Sequence, residues 1–375
     1  MFAKFTYLDT VLNYNGLNYN PCNDVIFPSI VEAYKYFPHP LGRYYMYYSP
    51  HNAPGGICLA FADKLVGPWQ EYPSNPIISN AWSPYYSVTH VSSPHAIWIE
   101  GSLFLYFHGE NTCTRFANSS DGIHFNYGGI AVTDRDFNCR YGAFYARVFS
   151  HAIASLKTSY VMLLMCHLRN TSGIFLAYSQ DGRYWQTRRN PILIPPAGSG
   201  LKHLCSAFLF SQGGSSCIIL FHGDTPDMST DIYAVEVDAE FKSTRFIGKI
   251  LDKEAVSPDN RRVSDPYLVG EGDQVYLFCS TGARLNQVIG IAAAKGNEST
   301  IYDLLKHINT EGKWLIRFPI SKLVNRHQGV LERLLPTGMR YYYELVLSGI
   351  MVILNEGWRS FWYKFRQWLK CRHWK

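Results

Sequence analysis

Acids and imidazoles gather at the ends of apolar stretches in this chain. LYFHGEN (105–111) and CIILFHGDT (217–225) each run from an apolar core into His-Gly-acid. Glu110 and Asp224 thereby hold equivalent places, while Asp24 and Asp265 stand at the openings of two other apolar runs, CNDVIF (22–27) and VSDPYL (263–268). Two carboxyls facing one ligand can divide acid and base roles when their surroundings keep one protonated and the other ionised. These four are the candidate catalytic residues. Of the thirteen histidines, His51, His95, His108, His167 and His222 fall at similar strand ends, with His90 and His203 beside them. No pair of histidines has the short spacing of a metal site. They are read as hydrogen-bonding groups, and neither a metal nor another cofactor is expected. Arg147, Arg169 and Arg284 complete the set, since guanidinium suits a carboxylate or phosphate on a ligand.

A repeating grammar positions these residues. SSDGIHF (119–125) and SQDGRYW (179–185) are the same phrase some sixty residues apart, each an Asp-Gly hairpin signal between strand-like runs. Around them recur a short strand after a polar turn, an aromatic apolar strand, and a strand opened by small residues. The first landmark, aligned on Pro28, Pro94, Ala146, Ser206 and Pro266, recurs at spacings of 66, 52, 60 and 60. Units this small cannot bury their own faces and must stack. Radial stacking makes an all-β, five-bladed β-propeller, with an irregular sandwich as the competing arrangement. The Asp-Gly hairpins join third and fourth strands, away from the channel mouth. The candidate residues gather at that mouth, with Glu110 and Asp224 facing each other across it.

The propeller is expected over 1–297, followed by a partly helical extension over 298–375. ESTIYDLLKHI and ISKLVNRHQGVLERLLP carry helical spacing, and MRYYYELVLSGIMVILNEG fits a helix or a buried hairpin. In the tail, Trp358, Phe361, Trp362, Phe365, Trp368 and Leu369 share one helical face. Residues 357–375 carry six Lys and Arg and no acid, matching the whole chain's net charge of +6. The body is therefore neutral and shows no footprint for nucleic acid. The tail reads either as an interfacial helix on an anionic membrane or as a helix packed on protein. No apolar run reaches the length of a span and no export signal is evident. Nine scattered cysteines, an odd number with no C-x-x-C, suit reduced thiols. The expected location is cytoplasmic, with the tail placing the chain peripherally on the inner membrane face.

The order of landmarks resembles the five-bladed propeller glycoside hydrolases, the group holding families 32, 43, 68 and 130. FPSI (27–30), SPHAIW (93–98) and SDPYLV (264–269) carry the resemblance at blade starts, and LFHGD (220–224) with DIYAVEVD (231–238) looks like a family 130 blade. The likeness covers about residues 20–297. It implies a glycosidase or glycoside phosphorylase acting on a glycan or charged sugar, with a carbohydrate or sugar phosphate as ligand. Glycoside hydrolysis needs a protonated carboxyl on the leaving oxygen and a carboxylate across the ring, which Glu110 and Asp224 would supply, with Asp24 and Asp265 in reserve. The histidines would bond sugar hydroxyls. The pattern departs from family 43 where acids are expected: Phe27, His95 and the stretch around Arg147 stand instead, and only Asp265 keeps an Asp-Pro. A non-hydrolytic propeller that binds or modifies sugars during assembly of a surface polysaccharide is therefore the alternative.

Overall fold

A computed structural model describes residues 5–196, 198–256 and 262–306. The chain forms successive antiparallel meanders. The first blade pairs Ile26–Glu32, Tyr44–Ser49, Cys58–Ala62 and Gln70–Glu71, and the second pairs Val91–Ile99, Ser102–Gly109, Cys113–Ser119 and Asn126–Thr133. The third runs Tyr141–Ser150, Tyr160–His167, Ser172–Ser179 and Gln186–Leu193, and the fourth His203–Phe210, Ser216–Asp224, Thr230–Asp238 and Thr244–Leu251. The fifth takes Val263–Glu271, Gln274–Ala283 and Asn286–Lys295, then borrows its outer strand, Thr6–Leu12, from the chain's start. The innermost strands touch in cyclic order, the fifth returning to the first. The fold is thus an all-β propeller, closed by pairing its two ends within one sheet. Closure of this kind leaves no long free edge.

Burial follows the layering. Ser216–Asp224 is buried along its whole length, because a second strand is covered by neighbouring blades on both faces. Asn126–Thr133, an outermost strand, alternates between exposed and half-buried residues as far as Ala131, before the buried Val132. Aliphatic and aromatic side chains from adjacent blades interlock as the core, for example Tyr48, Leu220, Phe278 and Ile291 in one cluster.

The repeated Ser-x-Asp-Gly phrase links blades. Asp121 Oδ1 accepts the amides of Ile123 and His124 at 2.9 and 2.8 Å, and Ser119 Oγ accepts that of Gly122 at 2.9 Å. Asp181 and Ser179 repeat the pattern one blade later. The Gly122 carbonyl then accepts the Tyr47 hydroxyl of the preceding blade, and the Gly182 carbonyl accepts that of Tyr106. Both glycines sit at positive φ with the neighbouring blade's side chains closer than 3 Å to where a Cβ would stand, so only glycine fits.

A second repeated device sits at the channel. Each innermost strand carries a bulge in which two residues oppose one on its partner. The first of the two has a left-handed backbone in every blade: Phe27 (φ 60°), Ser93 (59°), Tyr145 (54°), Ser206 (54°) and Asp265 (54°). A non-glycine residue held there costs about 1–2 kcal/mol, and such bulges re-aim side chains beside functional sites. The bulge corrects the alignment of the fourth unit by one residue: Ala207, not Ser206, matches Pro28.

Helix Glu298–Lys306 buries Ile301, Tyr302 and Leu305 against the fourth and fifth blades, and the Tyr302 hydroxyl donates to the Ser216 carbonyl. The later helical expectations and the aromatic basic tail lie outside the described residues.

Candidate functional site

The mouth ends of the third, fourth and fifth blades, with part of the first, enclose a cavity of about 250 Å³. Three bulge residues line it: Phe27, Tyr145 and Asp265. The strained backbone therefore delivers one carboxylate, one phenol and one phenyl ring to a common space.

The wall from the fourth and fifth blades is charged and buried. Asp224 ends its strand still in register, opposite Thr230 and His203. Its Oδ1 lies 3.3 Å from Arg262 Nη2, and its Oδ2 accepts the Cys205 thiol at 3.9 Å. Arg262 also donates to the Met228 carbonyl at 2.6 Å. Burial, with the Asp224 carboxylate beside it, pushes the Cys205 thiol up. His222 Nδ1 accepts the Asp265 backbone amide at 3.1 Å and lies 3.4 Å from Asp265 Oδ1. Burial lowers the His222 pKa despite the nearby acids. A neutral ring that accepts at Nδ1 carries its proton on Nε2.

Asp265 is the centre of this wall. It is 2% exposed, and its Oδ2 accepts the Ser264 hydroxyl at 3.0 Å. Its Oδ1 has no hydrogen-bond partner among the described residues. Burial opposes its ionisation, but the buried Arg147 guanidinium outweighs that and holds the carboxyl below its usual range. Arg147 is itself buried, donates to the Pro266 carbonyl and packs over the Tyr267 ring at 5.6 Å. Burial brings its pKa down to about 10, so it stays charged at neutral pH.

The facing wall is neutral. Phe27 lies against Tyr145 at 4.8 Å, and the Tyr145 hydroxyl meets His51 Nε2 at 3.2 Å. Burial raises the phenol's pKa, keeping it a proton donor. Ser172 Oγ bridges His167 Nδ1 at 2.7 Å and His203 Nδ1 at 2.9 Å. Burial lowers the pKa of both rings.

Of the sequence candidates, the structure brings Asp224, Asp265, His51, His167, His222 and Arg284 to the cavity, together with His203. Glu110 does not line it. The strand ends at Gly109, and Glu110 follows at φ 63° as an exposed turn residue, so it does not face Asp224 across the cavity. Arg169 is exposed and also outside. Asp24 is a buried clamp: Oδ1 accepts the Gln287 amide at 2.7 Å and Oδ2 that of His51 at 3.2 Å. Burial raises its pKa. His95 donates from Nε2 to the Val148 carbonyl at 2.7 Å and packs between Phe149 and Tyr267. His108 is buried against His90 and Tyr145, and Arg147 supports Asp265 from behind. Tyr145, Arg262, Phe27 and Cys205 are among the lining residues that strand-end reasoning passes over. Arg262 directly precedes the fifth innermost strand, and Tyr145 shares the bulge register of Asp265, so both signals were in the sequence.

Cys205, His222 and Asp224 offer donor atoms within 4.8 Å of one another, a geometry able to hold a metal ion.

No protein-family model and no curated protein matches the sequence. Solved structures do. The chain is similar to a thermostable family-43 glycoside hydrolase, with a TM-score of 0.54 at 14% identity, over 72% of this chain and 91% of that one. An α-L-arabinofuranosidase from Podospora anserina in complex with cellotriose gives 0.54 at 10% identity, over 80% and 99%. A β-1,2-mannobiose phosphorylase from Listeria innocua, in complex with β-1,2-mannobiose, gives 0.52 at 15% identity, over 67% and 69%. The chain shares their propeller fold.

Proposed function

We propose that this chain is a carbohydrate-active protein whose sugar ligand sits in the cavity at the third, fourth and fifth blades. One observation carries the reading: Asp265, on a strained bulge, presents a buried carboxylate oxygen that accepts no hydrogen bond among the described residues. An unpaired buried acceptor is costly, and a ligand hydroxyl would satisfy it. Around it stand a neutral donor suited to a polyol, the Tyr145 phenol, and an aromatic face at Phe27. The fold relatives named for glycoside cleavage and phosphorolysis support the same ligand class.

Between cleavage by paired carboxyls and action without hydrolysis, the site favours the second. Two-carboxyl hydrolysis needs one group protonated near neutral pH. Asp265 is held ionised and Asp224 is tied to Arg262. Glu110 is exposed, and Asp24, held by the Gln287 and His51 amides, does not line the cavity, so neither of the other two acids serves. The basic tail, 357–375, supports work at an anionic inner-membrane face during surface polysaccharide assembly. Flotation with anionic liposomes tests that part, and equal binding by the chain ending at 356 would sink it.

The ligand test is a thermal-shift screen of sugars, sugar phosphates and nucleotide sugars, repeated with Asp265→Asn. The expected outcome is a sugar whose shift disappears in the variant. Release of sugar from glycosides by the wild type, abolished in both Asp224→Asn and Asp265→Asn, would overturn the non-hydrolytic reading.

A further inference from the structure

We propose that the cavity floor is a site for a divalent transition metal, with Cys205 Sγ, His222 Nε2 and Asp224 Oδ2 as ligands. Asp265 stands behind the histidine as its supporting carboxylate. The proposal rests on the reading of this cavity as the sugar site and gives that site its reactive centre.

Cys205, His222 and Asp224 are 3%, 4% and 6% exposed, and one donor atom of each falls within 4.8 Å of the other two. They come from the ends of two adjacent strands of one blade, where Cys205 pairs directly with His222, so the backbone ladder fixes their approach. Thiolate, imidazole and carboxylate are the ligand types of zinc, and three protein ligands with an open position mark a reactive rather than a structural site. In a tetrahedral zinc site, sulfur and oxygen ligands stand roughly 3.5 Å apart. The 3.9 Å between Cys205 Sγ and Asp224 Oδ2 is close to this. Asp224 divides its oxygens, Oδ1 toward Arg262 and Oδ2 toward Cys205, which leaves Oδ2 for the ion.

Asp265 supplies the second observation. A metal-bound histidine commonly donates its other N–H to a carboxylate, which fixes ring orientation and raises basicity. His222 Nδ1 already lies 3.4 Å from Asp265 Oδ1, the buried oxygen that accepts no hydrogen bond among the described residues. On metal binding the Cys205 thiol proton leaves to solvent. The His222 proton passes from Nε2 to Nδ1, and Nδ1–H turns to Oδ1 in place of accepting the Asp265 amide, which leaves the second lone pair of Oδ1 for a ligand hydroxyl. A thiolate, Asp224 and Asp265 supply three negative charges. A divalent ion, Arg262 and the Arg147 guanidinium beside Asp265 supply four positive ones, so no negative charge in the loaded site is left uncompensated. The other acidic group of similar geometry, Asp231, Asp252 and Glu254, contrasts with it: Lys249 and Lys253 already sit on those carboxylates at 2.8–3.8 Å.

Cys205, His222 and Asp224 all line the cavity, so an open coordination position would face it, and adjacent sugar hydroxyls would replace water on the ion there.

The test is titration of the full chain, stripped by chelator, with Co²⁺ alone, followed by absorbance and by metal analysis after dialysis. The expected result is one equivalent bound, with a thiolate-to-cobalt charge-transfer band. Cys205→Ser should abolish the band, and His222→Gln should weaken binding at least tenfold. Asp265→Asn, which removes no ligand, should weaken it about 10–100-fold. Circular dichroism confirms that each variant is folded. No band in the wild type, or a band that survives Cys205→Ser, overturns the proposal. Sugar binding that persists unchanged in chelator without a cobalt band removes the metal and keeps the sugar reading. A band with no sugar hit from the screen keeps the metal site and removes the sugar reading.

Discussion

Phe27 and Asp265 occupy the same place in adjacent blades. Each is the left-handed residue of an innermost-strand bulge, and each lines the cavity. Yet Phe27 joins a neutral wall with Tyr145 and His51, while Asp265 anchors a charged one with His222, Arg147, Asp224 and Arg262. The backbone device is common to all blades, so the side chain set on it decides what each wall can do. The charge is one-sided. A ligand would meet carboxylates and guanidinium from the fourth and fifth blades, and rings and neutral donors from the first and third.

The largest effect should come from breaking the charged wall from behind. Arg147→Leu removes the cation beside Asp265 and leaves a buried carboxylate uncompensated, at a cost of about 3–5 kcal/mol. Chemical denaturation measures this. The double variant Arg147→Leu, Asp265→Asn should recover much of the loss, because neither charge is then stranded. Additive losses would show that the pair is not coupled.

The next effect is a pH dependence set at His95, packed between Phe149 and Tyr267. Burial, helped by Arg147, lowers the His95 pKa to about 3, against about 6.5 when unfolded. Between those values the unfolded chain binds the proton and the folded chain does not. Stability should therefore fall as pH drops from about 6.5 toward about 3. His95→Gln should flatten that slope, read from unfolding midpoints across the range.

A smaller effect separates the walls. Tyr145→Phe deletes the hydroxyl that meets His51 and should cost about 1 kcal/mol, with a few-fold loss of sugar affinity. A loss equal to that of Asp265→Asn would mean that the neutral wall carries as much recognition as the charged one.

The smallest lies outside the cavity. Hydrogen bonds from His124 and neighbouring amides overcome partial burial and hold Asp121 at about 2. Its stabilisation is complete above the unfolded value of about 3.9 and is lost as pH falls through about 2. Asp121→Asn should blunt only that acid limb and leave ligand binding unchanged, which calorimetric scans and the sugar screen together would check.

Much of this was legible in the sequence because strands, hairpins and blades write local signals. Asp121-Gly122 and Asp181-Gly182 mark equivalent turns, and apolar runs such as CIILF mark strands buried on both faces. What escaped depends on contacts distant in sequence or on single-residue geometry. TYLDTVL is short and largely exposed, so nothing local shows that it pairs with Asn286–Lys295 to close the ring. HGE and HGD look alike as text, but one strand stops at Gly109 and the other includes Asp224, and that one-residue difference sends Glu110 outward. Asp24, His95 and Arg147 are polar and near the channel, as expected. Their partners prove to be backbone amides and carbonyls, which no side-chain pattern records.

The most direct test of the account is calorimetry of the best sugar from the screen with the wild type, Asp265→Asn and Glu110→Gln. The account predicts at least a tenfold loss of affinity in Asp265→Asn and a change within twofold in Glu110→Gln. Retained affinity in Asp265→Asn with loss in Glu110→Gln would contradict it.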